Sequence, residues 1–138
     1  MNDLFPGFAA LHPGYILFAF VLLSAKIEYG AKMNIPEISV HELKALLDAN
    51  EDVFILDVRN PNEFAICHLN GTLIPMNELP SRMNELNPEQ RIVVHCHAGG
   101  RSRRAVEFLS QHGFKNVANL RGGITAWAEE IDLTMTKY

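Results

Sequence analysis

The stretches DVFILDV (52–58) and IVVH (92–95) are apolar at consecutive positions, with polar residues only at their edges. A strand with one wet face alternates, so a strand that does not alternate has to be covered on both sides. Such a sheet needs helices above and below it, and the chain supplies them. SVHELKALLDAN opens with Ser39 as an N-cap and Glu42 three residues on, a capping box, followed by Leu43, Leu46 and Leu47 on one face. SRRAVEFLSQHG places Ala105, Phe108, Leu109 and His112 on one stripe and stops at Gly113, with Phe114 positioned for a Schellman closure. A further helix begins at Ile124 and carries Trp127, Ala128 and Ile131 at the same spacing. TLIP and NVANL are weaker strand candidates. Strands alternating with helices over connections of about a dozen residues or more predict an α/β fold, a central parallel sheet with helices on both faces. In such sheets ligands bind beyond the carboxyl ends of the strands.

Cys96 stands at that place, directly after IVVH and before a helix start. The helix opens with Arg101, Arg103 and Arg104. Cations belong at the other end, because unpaired N–H groups already give the amino end about half a positive charge. An anion is therefore expected nearby. A thiol ringed by N–H donors and arginines is itself a source of one, since each of these favours the thiolate. Gly99 and Gly100 let the chain turn tightly and aim successive N–H groups inward, and Arg101 closes the ring. Three candidates for the anion remain open at this point: the Cys96 thiolate, an oxyanion substrate, or a persulfide on Cys96.

Composition bounds the rest. A chain of 138 residues, 48% apolar and 20% charged, can bury one core and is too short for two ordinary domains. A net charge of −4 argues against a nucleic-acid surface, which makes the arginine cluster a local feature. Two cysteines, Cys67 and Cys96, are too few for a disulfide scaffold and lack zinc-site spacing, so a reducing, cytoplasmic setting is expected and no metal. Residues 33–138 form the organised domain. Residues 1–32 differ, being uncharged from Leu4 to Ala25 apart from His12, but Pro6, Gly7, Pro13 and Gly14 break the run short of a spanning helix. Three readings stay open for that segment: membrane association through residues 4–25, packing on the domain or a partner, and a start assigned too early, with Met33 the true beginning.

CHAGGRS resembles the active-site loop of the rhodanese domains, and LDVRNPNEFAICHLNGTLIP (56–75) resembles that family's second signature. From PEISVHEL through NLRGGITAW to Tyr138 the text is most similar to the rhodanese domain at the C-terminus of E1-like adenylyltransferases of molybdopterin and thiamine synthesis and tRNA thiolation. The resemblance implies a rhodanese-like fold and a sulfurtransferase without metal or organic cofactor, expected as a monomer. Cys96 would carry a sulfane sulfur as a persulfide, taken from thiosulfate or a desulfurase and passed to a thiol or protein acceptor. The backbone of His97, Ala98, Gly99, Gly100, Arg101 and Ser102 would cradle that sulfur, with Asp57 and Arg59 supporting the site. Arg59 is equally readable as a structural partner of Glu63, and His68 has the same status.

His97 departs from the family pattern, in which Lys or Arg often follows the cysteine of thiosulfate users, so the loop lacks the fixed cation that goes with thiosulfate as donor. Arg103 and Arg104 are spaced to meet Glu107 at i+4 and i+3. Cys67 reads as a half-buried small residue rather than a resolving thiol. Two rival functions remain: a catalytically idle binding module, and a cysteine phosphatase. The related phosphatases have five residues between cysteine and arginine, whereas HAGG gives four and Ser102 stands where that arginine would be.

Overall fold

A computed structural model describes residues 34–138. The membrane, packing and late-start readings of the first 32 residues lie outside the described residues. Among the described residues no helix is long and apolar enough to cross a membrane.

Five strands make one sheet: β1 (Glu37–Ile38), β2 (Phe54–Asp57), β3 (Thr72–Leu73), β4 (Ile92–His95) and β5 (Val117–Leu120). Every pairing is parallel and the order is β1-β5-β4-β2-β3. Among the described residues the helices are α1 (Val40–Asp48), α2 (Pro61–Ile66), α3 (Leu79–Arg82), α4 (Gly100–Gln111) and α5 (Gly123–Glu130), with a 3₁₀ turn at Met83–Glu85. The central strand β4 is buried along its whole length, and its side chains divide between two cores. Ile92 and Val94 join Leu56, Ala105, Val106 and Leu109 on one side; Val93 joins Val40, Leu43, Leu120 and Trp127 on the other. That division is what a parallel strand with no alternation requires.

Local chemistry sets the element ends. Ser39 accepts from the Glu42 N–H at 3.1 Å and Glu42 accepts from the Ser39 N–H at 2.7 Å, completing the expected box on α1. Leu43 is fully buried, whereas Leu46 and Leu47 are only half-buried. At the end of α4 the Phe114 N–H reaches the Leu109 carbonyl at 3.1 Å across Gly113, whose φ of 89° suits glycine. Phe114 is buried, completing the Schellman closure. His112 departs from the expected stripe: it is exposed and holds the Phe108 carbonyl at 2.7 Å, and Val106 takes its place in the core. A ring nitrogen beside a helix's last carbonyls gains more there than in an apolar core.

Candidate active site

β2, β4 and β5 are parallel neighbours, so their carboxyl ends deliver Asp57, His95 and Leu120 to the same edge of the sheet. The chain leaves β4 into Cys96–His97–Ala98–Gly99 and then enters α4. Gly99 is the N-cap, at φ 113°, a conformation that side chains strongly disfavour. This turn points the Gly99 N–H at the Cys96 sulfur, 3.1 Å away, and Ser102 on the first turn brings its hydroxyl to 3.3 Å from the same atom. Cys96 is 1% exposed, and burial pushes its thiol up. Hydrogen bonds from the Ser102 hydroxyl and from the N–H groups of Ser102, Gly99 and Arg101 outweigh burial, so the net shift is downward. The donors opening α4 are thus turned onto a sulfur that gains stability as an anion.

The opposite side of the loop is held by the next helix. Gly122 caps α5 at φ 79°, and the α5 donors Ile124 N–H and Thr125 N–H reach the carbonyls of Cys96 and His97, each at 3.0 Å. The Thr125 hydroxyl adds a second bond to the His97 carbonyl at 2.9 Å. Gly123 lies so close that a Cβ there would sit 2.5 Å from the His97 oxygen and 2.6 Å from the Cys96 oxygen. Two helix amino termini therefore fix one loop, one bonding its sulfur and the other its carbonyls.

Charges near the loop are paired, but not as the sequence suggested. Arg59 does not pair with the Glu63 carboxylate: its guanidinium is fully buried against Asp57, with contacts of 2.7–3.1 Å. The rest of that fork holds the Cys67 carbonyl at 2.8 Å and the Glu63 carbonyl at 3.3 Å, so Arg59 ties β2 to the carboxyl-terminal turn of α2. Burial opposes its charge, yet bonds to Asp57 and Tyr138 raise its pKa further above the ordinary arginine value. Glu63 instead takes Arg101, in two contacts of 2.8 Å. That Arg101 fork, with burial opposing and lesser help from the Asn60 N–H and Tyr138, holds the Glu63 carboxyl at about 2. Arg101 accordingly presents its N–H to the sulfur while its guanidinium faces Glu63. Among the described residues no ion pair joins Arg103 or Arg104 to Glu107, and both arginines are exposed.

Three further residues, to which the sequence assigns no role at the loop, meet there. Tyr138 accepts from Arg59 at 2.8 Å, donates to Glu63 at 3.0 Å and stacks on His97 with ring centroids 4.4 Å apart. Asn119 accepts from the Ser102 hydroxyl at 2.6 Å. His95 is sealed behind Cys96, its Nε2 3.6 Å from Asp57 and without a hydrogen-bond partner among the described residues; burial lowers its pKa and keeps it neutral. Each depends on chain segments distant in sequence, which spacing cannot reveal. His68 packs on Phe64 and accepts from the Asn70 N–H, a local structural role, and Cys67 is half-buried. Among the described residues no His, Cys, Asp and Glu cluster suits a metal ion.

The pattern described as Rhodanese-like domain matches residues 39–130. A protein named sulfurtransferase from Allochromatium vinosum is 41% identical over 93 residues, 67% of this chain and 87% of that protein. The putative sulfur carrier protein YrkF of Bacillus subtilis is 40% identical over 95 residues, 68% of this chain; the match spans about half of that relative, 51%. Mycobacterium tuberculosis MoeZ, a probable adenylyltransferase/sulfurtransferase, matches at 34% over 104 residues, 73% of this chain but 26% of its own length. Among solved structures, the rhodanese-like domain protein from Staphylococcus aureus superposes with a TM-score of 0.66 at 32% identity, covering 75% of this chain and 99% of that one. From its cysteine loop, its parallel sheet and these matches, the chain belongs to the rhodanese-like domain family.

Proposed function

We propose that this domain is a sulfurtransferase that carries a sulfane sulfur on Cys96. The observation that carries this reading is the sulfur's position: buried, 3.1 Å from the Gly99 N–H and 3.3 Å from the Ser102 hydroxyl, with a thiol shifted toward its anion. The Cys96 thiolate attacks the outer sulfur of the donor. A sulfur–sulfur bond forms to Cys96, and the donor's own bond to that sulfur breaks with its electron pair leaving on the donor, as sulfite when the donor is thiosulfate. The terminal persulfide sulfur is an anion, and the N–H groups from His97 to Ser102 stabilise it without reorganising. An acceptor thiolate or cyanide then takes the outer sulfur, and the electron pair returns to Cys96. No net oxidation occurs. Names of relatives support the class of reaction, a sulfurtransferase and a putative sulfur carrier among them.

The donor is left to chemistry at the mouth of the site. Arg101 is already engaged by Glu63, and His97 is stacked under Tyr138, which supports a thiol-bound persulfide donor as well as thiosulfate. Steady-state assays test the reading: thiocyanate should form from cyanide with thiosulfate or with a desulfurase-generated persulfide, and Cys96→Ser should abolish it. Arylphosphate hydrolysis exceeding thiocyanate formation would overturn it in favour of a phosphatase. Activity with neither substrate would favour an idle binding module.

A further inference from the structure

Ser102 has one hydroxyl proton and two acceptors. Its oxygen lies 2.6 Å from Asn119 Oδ1 and 3.3 Å from Cys96 Sγ, with Ser102 itself 0% and Asn119 3% exposed, so water does not settle the contest. The Asn119 amide cannot simply turn over to relieve it. Its Nδ2 faces two acceptors, Glu37 Oε2 at 3.3 Å and the Gly99 carbonyl at 3.4 Å, and reversing the amide would aim Oδ1 at a carboxylate. Register fixes the same arrangement, since Asn119 on β5 pairs directly with Glu37 on β1.

We propose that Asn119 is a positioning residue for sulfur transfer, competing with the Cys96 sulfur for the Ser102 hydroxyl. This rests on Cys96 being the nucleophile. While Cys96 is a thiol, its S–H donates to Ser102 Oγ and the Ser102 O–H donates to Asn119. Once the sulfur is anionic, as thiolate or persulfide, the Ser102 proton swings to it and Asn119 Oδ1 loses its donor. The amide thereby withholds part of the stabilisation that the anion would otherwise receive, which keeps the thiolate more basic and more nucleophilic. The titratable and charged groups around the site are Arg101 on α4 with its partner Glu63 on α2, the buried Asp57–Arg59 pair with His95 beside it, His97 in the loop, and Glu37, bonded to Asn119. None of these contacts the Ser102 hydroxyl.

The pH profile of iodoacetamide alkylation at Cys96, located by peptide mass, tests this on the full chain. Asn119→Leu, which keeps the branched shape and removes the acceptor, should move the half-point down by about one pH unit, the scale of a hydrogen bond to an ion. Asn119→Asp keeps the acceptor, strengthens it, and should move the half-point up. In a Ser102→Ala background Asn119→Leu should move it hardly at all, and this coupling separates competition for a proton from mere loosening of the loop. An unchanged profile in Asn119→Leu, or an equal shift with and without Ser102, overturns the proposal. If Asn119→Leu does not fold, the Asn119→Asp shift measured with and without Ser102 decides alone, an equal shift again overturning it. Label found on Cys67 instead would mean that the nucleophile assignment, not the role of Asn119, has failed.

Discussion

Glu63 is the residue on which the mouth of the site converges. It accepts from Arg101, the Asn60 N–H and Tyr138, and its side chain is 14% exposed. Its carboxyl, held at about 2, is depressed from the ordinary 4.5, so its contribution to stability is complete above about pH 4.5 and drains away as pH falls through 2. Glu63→Gln should therefore destabilise the domain at neutral pH by about 1–2 kcal/mol, with the difference from wild type shrinking below pH 4. Urea unfolding at a series of pH values reads this; a constant difference down to pH 2 would contradict it. At this scale the sequence was legible only in part. Cys96 and its glycines announced themselves through spacing. The partner of Arg101 did not, because Pro61–Ile66 had to be recognised as a helix, capped by Asn60, whose N3 carboxylate turns toward α4. The sequence equally allows Arg59 to pair with Glu63, four residues away, whereas in the structure its fork is taken by Asp57, two residues away.

At the level of elements, glycines divide into those that shape the loop and those that merely end a helix. Gly123 has φ 59° and no room for a Cβ beside the Cys96 and His97 oxygens. Gly113 has φ 89° but nothing within 4 Å. Gly123→Ala should push the loop off the α5 donors and lower sulfur transfer at least about tenfold, since small displacements at a preorganised site are costly. Gly113→Ala should cost about 1 kcal/mol of stability and leave transfer unchanged. Equal activity in the two variants would show that α5 does not position the loop. The longer elements could be read from the chain: β2 and β4 from their unbroken apolar runs, α1 from its box, α4 from its stripe and closing glycine. Short ones could not. β1 has two residues and α3 four, too few for any period to show, and they exist because β5 and the core accept them.

For the whole molecule, the parallel sheet and its two-sided core follow from the expectation of buried parallel strands, but the order β1-β5-β4-β2-β3 is set by which helix covers which face, and no local pattern encodes that. The core, the loop and the helices that fix it all belong to residues 35–138, which form one compact unit. A chain beginning at Met33 should therefore melt cooperatively and keep its sulfur transfer, as followed by calorimetry and thiocyanate formation; non-cooperative melting would place part of the core upstream. The claim that Cys96 is the sulfur carrier is met most directly by intact mass, measured after incubation with thiosulfate or with a desulfurase and cysteine. Wild type and Cys67→Ala should each gain one sulfur atom that cyanide removes, and Cys96→Ser should gain none. Sulfur retained by Cys96→Ser, or lost in Cys67→Ala, would contradict the account.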